Sequence, residues 1–355
     1  MLVPPRNKNP ARREMLPLPP QAKPDYMNND PTAPGTTPAS WLARIQPGLF
    51  AIPFGLMGLA SAWQKLVPLG ITAGNPASFY LFTSALALFM ILLVLWLVKL
   101  ARHPAIVRRE WQHPVQGALT SLIPLNLLLI MAIVAPLAPS FDAVWLAATL
   151  AALLMQGLLA WQVVARLSSG QMPGELVTPV LYLPTVAGGF IGSITLNALG
   201  MPGWAALLVG MGAGAWALLE MRILNRLFAG PLPLPLRPTL GMEIAPAAVG
   251  SLALATLWPA LPAEVLVVCL GVASAPVLAV LTRWRYWTAV PFSAGFWSFS
   301  FPLAAMAGAT VEAVRRGGWP PDVALAAVAL ASLVIGFLAV RTLMLLARGR
   351  LLPPQ

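Results

Sequence analysis

The residues able to do acid–base, nucleophilic or metal chemistry are few, and their spacing argues against most of it. The chain of 355 residues has two histidines, His103 and His113, and one cysteine, Cys269. A Cys/His metal site needs three or four ligands, so that kind of centre is excluded, and a single cysteine forbids an intramolecular disulfide. His103 and His113 lie ten residues apart in a basic loop, unlike the i, i+4 pair of a helical zinc protease. Both read as surface or interface residues. No Ser/His/Asp set and no paired-aspartate motif falls in the apolar segments, so the chain does not read as an enzyme and implies no cofactor. Two acids do stand inside apolar segments, Glu243 and Glu220. An ionisable residue within a membrane helix is a functional candidate by default, here as a proton or ion-pair site. The economical readings are structural: Glu220 pairing with Arg222 and Arg226, and Glu243 meeting the dipole of a helix N-terminus. The remaining polar groups are hydroxyls at Thr185, Ser193, Thr195, Ser298 and Ser300. Neutral hydroxyls and backbone carbonyls touch an ion without holding it tightly, which fits conduction better than catalysis.

These residues must be positioned by elements that live in lipid. Only 9% of the chain is charged and 58% is apolar, whereas a soluble domain carries about 25% charged residues. A bilayer core of about 30 Å takes about 20 apolar residues per helix. Stretches free of Asp, Glu, Lys and Arg, divided at the turn signal Gly200-Met201-Pro202-Gly203, predict an all-α integral membrane protein of ten helices. They are placed at 47–64, 78–99, 115–135, 143–166, 178–199, 203–225, 239–258, 263–282, 288–312 and 322–346. The domain reading is a disordered Pro-rich tail at 1–40, a transmembrane domain at 41–348 and a short tail at 349–355. Ten prolines and mixed charge keep the first segment from burying enough surface to fold. No apolar core follows its early basic residues, so no cleavable signal peptide is expected.

An even number of spans puts both termini on one side. That side collects nineteen of the 22 basic residues, and only Lys65, Arg315 and Arg316 fall opposite. The positive-inside rule makes the rich side cytoplasmic. The net charge of +11 therefore reports orientation, and nucleic acid is not expected as a partner.

Proline recurs with a period. Pro53, Pro124, Pro184, Pro246 and Pro302 fall in helices 1, 3, 5, 7 and 9 at spacings of 71, 60, 62 and 56 residues. A repeat of about 60 residues is a hairpin of a kinked and a straighter helix. Five hairpins suggest pseudo-five-fold symmetry, with the kinked odd-numbered helices inside around a central pore. Small residues run along one face of helix 1 (Gly48, Ala51, Gly55, Gly58, Ala62), of helix 5 (Thr185, Gly188, Gly192, Thr195) and of helix 9 (Ala294, Ser298, Phe301, Ala305, Gly308). The stripes on helices 3 and 7, around Pro124 and Pro246, are poorer. Such stripes also serve close helix packing; their restriction to the proline-bearing helices favours a lumen. The pore-lining candidates are Gly55, Gly58, Pro124, Thr185, Gly188, Gly192, Thr195, Pro246, Ser298 and Ala305. With no ring of acids or bases among them, the sign of the ion stays open.

Four segments carry a resemblance: Pro47-Gly48-Leu49-Phe50-Ala51-Ile52-Pro53-Phe54-Gly55-Leu56, Tyr182-Leu183-Pro184, Gly212-Ala213-Gly214-Ala215-Trp216 and Trp297-Ser298-Phe299-Ser300-Phe301-Pro302. In matching order over about residues 46–346, they resemble the tellurite-resistance/dicarboxylate transporter family, which includes the bacterial TehA-type proteins and is related to the plant slow anion channels. The resemblance implies ten helices as five hairpins, a homotrimer with one pore per subunit in a bacterial inner membrane, and passage of small inorganic or organic anions. It also implies a gate, a phenylalanine on the ninth helix that plugs the pore, which here is Phe301. Regulation by phosphorylation of long tails, as in the plant relatives, is not carried over, since the tail offers only Thr32, Thr36, Thr37 and Ser40. The competing expectation is a proton-coupled carrier of dicarboxylate, sulfite or tellurite-type oxyanions that would use Glu243 and Glu220. A membrane scaffold with a vestigial pore is the non-transport alternative.

Overall fold

Leucine and alanine are strong helix formers, and in lipid every backbone N–H and C=O must be satisfied within the protein. The computed structural model describes residues 40–352 and is helical, with no strand among the described residues. The tail expected at 1–40 lies outside them except for Ser40. In chain order the main helices are α1 (Ala51–Gln64), α2 (Gly74–Arg102), α3 (Pro114–Leu137), α4 (Pro139–Ser168), α5 (Pro179–Ala198), α6 (Pro202–Phe228), α7 (Leu234–Leu257), α8 (Ala263–Thr282), α9 (Ala294–Gly317) and α10 (Pro321–Ala347). A short helix, Pro104–Gln112, links α2 to α3.

Among the described residues nine helices, α2 to α10, are long and apolar enough to cross a membrane. The tenth expected span, α1, is not one of them. Its 14 α-helical residues rise about 21 Å at 1.5 Å each, and it ends on Trp63, Gln64 and Lys65. The ninth helix is displaced from the expected 288–312 to Ala294–Gly317. Pro291 cannot carry a helix onward from the short helix Trp284–Thr288, so the chain runs irregularly before α9 begins.

Burial alternates along the chain. Helices α3, α5, α7 and α9 have 72–89% of their apolar window buried; α2, α4, α6, α8 and α10 have 17–28%. In α1 and its lead-in, Phe50 and Met57 are fully buried. The odd-numbered helices are thus inside. The outer ones expose Leu154, Trp161, Leu218, Leu278 and Leu333, an apolar surface of the kind that meets lipid. Contacts close the inner set on itself, with α1 on α3, α3 on α5, α5 on α7, α7 on α9, and α9 back on α1. Each inner helix also packs against the outer helix that follows it.

The inner helices are irregular before their prolines, in α3 as a break at Thr120 and Ser121 between two α-helical stretches. Regular α-helix starts at Ala51, Leu122, Ala245 and Ser300, one or two residues before Pro53, Pro124, Pro246 and Pro302. In α5 a π-helical turn, Leu183–Ala187, contains Pro184. Proline is thereby placed in a first helical turn, where its missing N–H costs nothing, instead of bending a continuous helix. The turns before these prolines are 3-10 in α1, α5, α7 and α9.

Apart from Glu220 and Glu243, charge lies toward the ends of the helices. Lys65, Arg315 and Arg316, the three basic residues outside the rich side, all bond to Glu312 of α9, at 2.7, 2.7 and 3.4 Å. Arg316 also donates to the carbonyls of Ala255, Trp258 and Leu261, satisfying the open C-terminal end of α7. At the other end the fully buried Lys99 donates to Ile45 O and to Glu110 Oε1, both at 2.6 Å. Glu110 is held above the ordinary carboxylate range because burial outweighs the attraction of Lys99.

Candidate functional site

The inner helices enclose one cavity, around the points where their regular α-helix begins. Its wall is Ala51 and Phe54 of α1, Leu122 of α3, Tyr182, Leu183, Val186, Ala187 and Phe190 of α5, Met242, Ala245, Pro246 and Val249 of α7, and Trp297, Ser298, Phe301 and Pro302 of α9. All five inner helices contribute and no outer helix does. The cavity volume is about 40 Å³, room for about three waters, and its wall carries no charged side chain. A small uncharged cavity of this kind offers an ion no tight binding partner.

One ring dominates it. Phe301 projects from the first turn of the regular part of α9 and is 7% exposed. It stacks on Phe54 with centroids 3.8 Å apart and planes 20° from parallel. Gly58, one turn beyond Phe54, leaves the room this needs, since a Cβ there would fall 2.8 Å from the Phe301 ring. Beneath the pair, Trp297 is fixed by its Nε1 donating to Thr342 Oγ1 of α10 at 2.8 Å. Phe190 faces the cavity from α5 and is seated where a Cβ on Gly250 or Gly212 would come within 3.2 Å of it.

Of the sequence candidates, Phe301, Pro246 and Ser298 line this cavity and Gly58 borders the Phe301 ring. The others are placed elsewhere. Gly55 faces Ser300, which makes it a contact between α1 and α9. Gly188 opens space for Gln156 of α4, and Gly192 for Leu153 and Leu208 of α4 and α6, so the stripe on α5 is a packing face toward the outer helices. Thr195 donates to Leu128 O and Ile191 O, and Thr185 to Leu181 O. Pro124 and Ala305 are buried outside the wall.

The expected free carbonyls are also largely taken. Gln156 Nε2 donates to Leu183 O at 2.8 Å and Pro184 O at 3.0 Å. Asn126 Nδ2 donates to Phe50 O and Leu122 O. Ser298 Oγ donates to Pro238 O, and Ser300 Oγ to Trp297 O, both at 2.6 Å. Unpaired backbone groups are too costly in lipid to be left open, so amides and hydroxyls of neighbouring helices close them. Phe54, Phe190, Gln156 and Asn126 carry these roles without having stood out in the sequence. The available signal for Phe54 was its place directly after Pro53, mirroring Phe301 directly before Pro302.

The two carboxylates lie beyond the wall. Glu220 of α6 accepts from Tyr182 Oη at 2.6 Å and from Trp216 Nε1 at 2.8 Å. Glu243 is buried beside Met242, which lines the cavity. Its expected service to a helix dipole is not seen as a hydrogen bond among the described residues. No group of three or more His, Cys, Asp or Glu able to hold a metal occurs among the described residues.

Two comparisons bear on this arrangement. The tellurite resistance protein TehA homologue of Haemophilus influenzae is 28% identical over 308 residues, covering 85% of this chain and 91% of that protein. The family model described as SLAC1, voltage-dependent anion channel, matches residues 44–345. That span contains the whole cavity wall and every main helix except the last two residues of α10. Proteins of this family move anions across membranes as channels or transporters, and by the match of its family model over residues 44–345 this multi-pass, all-helical chain belongs to the SLAC1/TehA family.

Proposed function

We propose that this chain conducts small anions through the passage between its inner helices, and that Phe301 is the gate. In this reading α1 joins the nine apolar helices to make ten spans, arranged as five hairpins with pseudo-five-fold symmetry. The chain assembles as a homotrimer with one passage per subunit in a bacterial inner membrane, both termini cytoplasmic. The single observation that carries the reading is the Phe301 ring stacked on Phe54 inside a cavity of about 40 Å³. A hydrated anion is larger than the gap this leaves, and an apolar constriction blocks conduction by excluding water. The closure of the inner helices into a ring supports the hairpin arrangement. The pairing of Lys65, Arg315 and Arg316 with one carboxylate supports the orientation, because the basic residues outside the rich side serve a local network.

The test is anion flux through purified protein in liposomes, with chloride and nitrate as probes. Phe301→Ala should raise flux by about tenfold or more over the unmodified protein, as removal of a hydrophobic constriction does. Equal flux from both proteins would remove Phe301 as the gate.

A further inference from the structure

Glu243 is 8% exposed. Among the described residues it makes neither a hydrogen bond nor a salt bridge, and its Oε1 is wholly buried without a partner. It is joined to the cavity in two ways. Met242, the residue before it, lines the wall. Tyr182 lines the same wall from α5 and donates its hydroxyl to Glu220, whose charge acts directly on Glu243.

The ionisable groups facing Glu243 are Tyr182 from α5, Glu220 from α6 and Arg283 at the end of α8, which attracts it without bonding to it. Arg237, earlier on α7, is turned instead onto the Tyr286 ring at 4.3 Å. Helices α1 and α3 contribute no ionisable residue, and those of α9 lie in its last turns. Glu220 has two donors to stabilise a negative charge and Glu243 has none. A buried carboxylate without a donor is costly as an ion, and two neighbouring carboxylates resist being charged together.

Resting on the anion passage proposed above, we propose that Glu243 binds a proton at the inner end of the path, and that this proton admits the anion. With the proton bound, the wall at Met242 and Tyr182 borders a neutral acid. Without it, a fixed negative charge beside the wall opposes entry. Glu220 is the positioning partner, tied to the wall through Tyr182.

Two readouts test this. Infrared difference spectra of the full chain in lipid, taken between about pH 5 and about pH 8, should contain a protonated-carboxyl band that is lost in Glu243→Gln. Chloride flux in the Phe301→Ala background should be about tenfold higher at the acidic end, the order expected of one charge acting near the path at an effective dielectric of about 20. Adding Glu243→Gln should hold flux at the high level at every pH. Tyr182→Phe, which leaves Glu243 intact, should displace the midpoint of the profile without flattening it. Absence of the band, its survival in Glu243→Gln, or a pH profile unaffected by that substitution would overturn the proton site. A Phe301→Ala protein that carries no anion at any pH would instead overturn the passage reading, and the infrared band would still decide whether Glu243 takes the proton.

Discussion

The Phe301 ring lies 3.8 Å from the Phe54 ring, centroid to centroid, with the planes 20° from parallel. Helices α1 and α9 therefore meet through a ring pair in the cavity wall, and the two rings should act as one plug. Such pairs are worth about 0.5–1.5 kcal/mol beyond their area. Phe54→Ala alone should raise anion flux, because Phe301 loses the surface that holds it across the passage. The double variant with Phe301→Ala should exceed Phe301→Ala by much less than the product of the single effects. Gly58→Ala should also leak, to a smaller degree, because its Cβ would stand 2.8 Å from the Phe301 ring and displace it. Multiplicative effects in a liposome flux cycle would show that the rings work independently.

Helices α5 and α6 touch backbone to backbone at Gly189 and Gly212. A Cβ on Gly189 would fall 2.6 Å from Gly212 Cα and 2.8 Å from Leu208 O. Backbone cannot swing aside as a side chain does, so Gly189→Ala should push the hairpin apart at a cost of about 1–3 kcal/mol. Gly214, two residues on from Gly212, has nothing within 4 Å of the same test position, and Gly214→Ala should be neutral. Thermal unfolding in detergent separates them: equal midpoints for the two variants would refute the close-approach account.

The pattern that sequence reports well is the alternation of buried and exposed helices along the chain. Proline at Pro53, Pro124, Pro184, Pro246 and Pro302 marks the inner helices, in each at the first turn of a helical segment, and burial follows the same alternation. Phe301 stood out as the single ring on a small-residue face and is found in the wall. What was not legible is direction. The stripe Thr185, Gly188, Gly192, Thr195 has the spacing of a lumen face, but its space is filled by Gln156, Leu153 and Leu208. Periodicity defines a face and says nothing about which neighbour occupies it. The carbonyl acceptors were hidden for a similar reason, since Gln156 and Asn126 reach them from helices distant in sequence. The ninth helix was set too early because the apolar run continues through Phe292 and Ser293, where only Pro291 signals a break.

Glu312 gathers Lys65, Arg315 and Arg316, which differ in exposure at 27, 42 and 9% of their side chains. An exposed pair is worth about 0–1 kcal/mol, whereas removing one partner from a buried network costs about 3–5 kcal/mol. Arg315→Ala should therefore be nearly silent. Glu312→Gln should be strongly destabilising, since it leaves the buried Arg316 and the Lys65 ammonium without a counter-charge. Arg316→Ala should be costly too, because the carbonyls of Ala255, Trp258 and Leu261, at and just beyond the end of α7, lose the guanidinium. Similar unfolding midpoints for Arg315→Ala and Glu312→Gln would contradict this ranking.

The start of α3 should respond to mild acid through His113. Its Nδ1 accepts the N–H groups of Val115 at 3.2 Å and Gln116 at 3.3 Å, capping the helix as a neutral imidazole. Burial, with the nearby Arg166 charge, holds it below its ordinary value of 6.5. The unfolded chain then binds the proton more readily than the folded one, so the stabilisation is present above that value and is lost as pH falls below it. Protonation also turns the acceptor into a donor. The first turn of α3 should fray as pH falls below 6.5, with a loss near 1 kcal/mol, the usual worth of an N-cap. His113→Asn keeps a side-chain acceptor that does not titrate, so it should retain the cap and abolish the acid sensitivity. Amide exchange at Val115 and Gln116, compared between the two proteins across this range, checks both. Protection that falls equally with pH in His113→Asn would show that the imidazole is not the sensor.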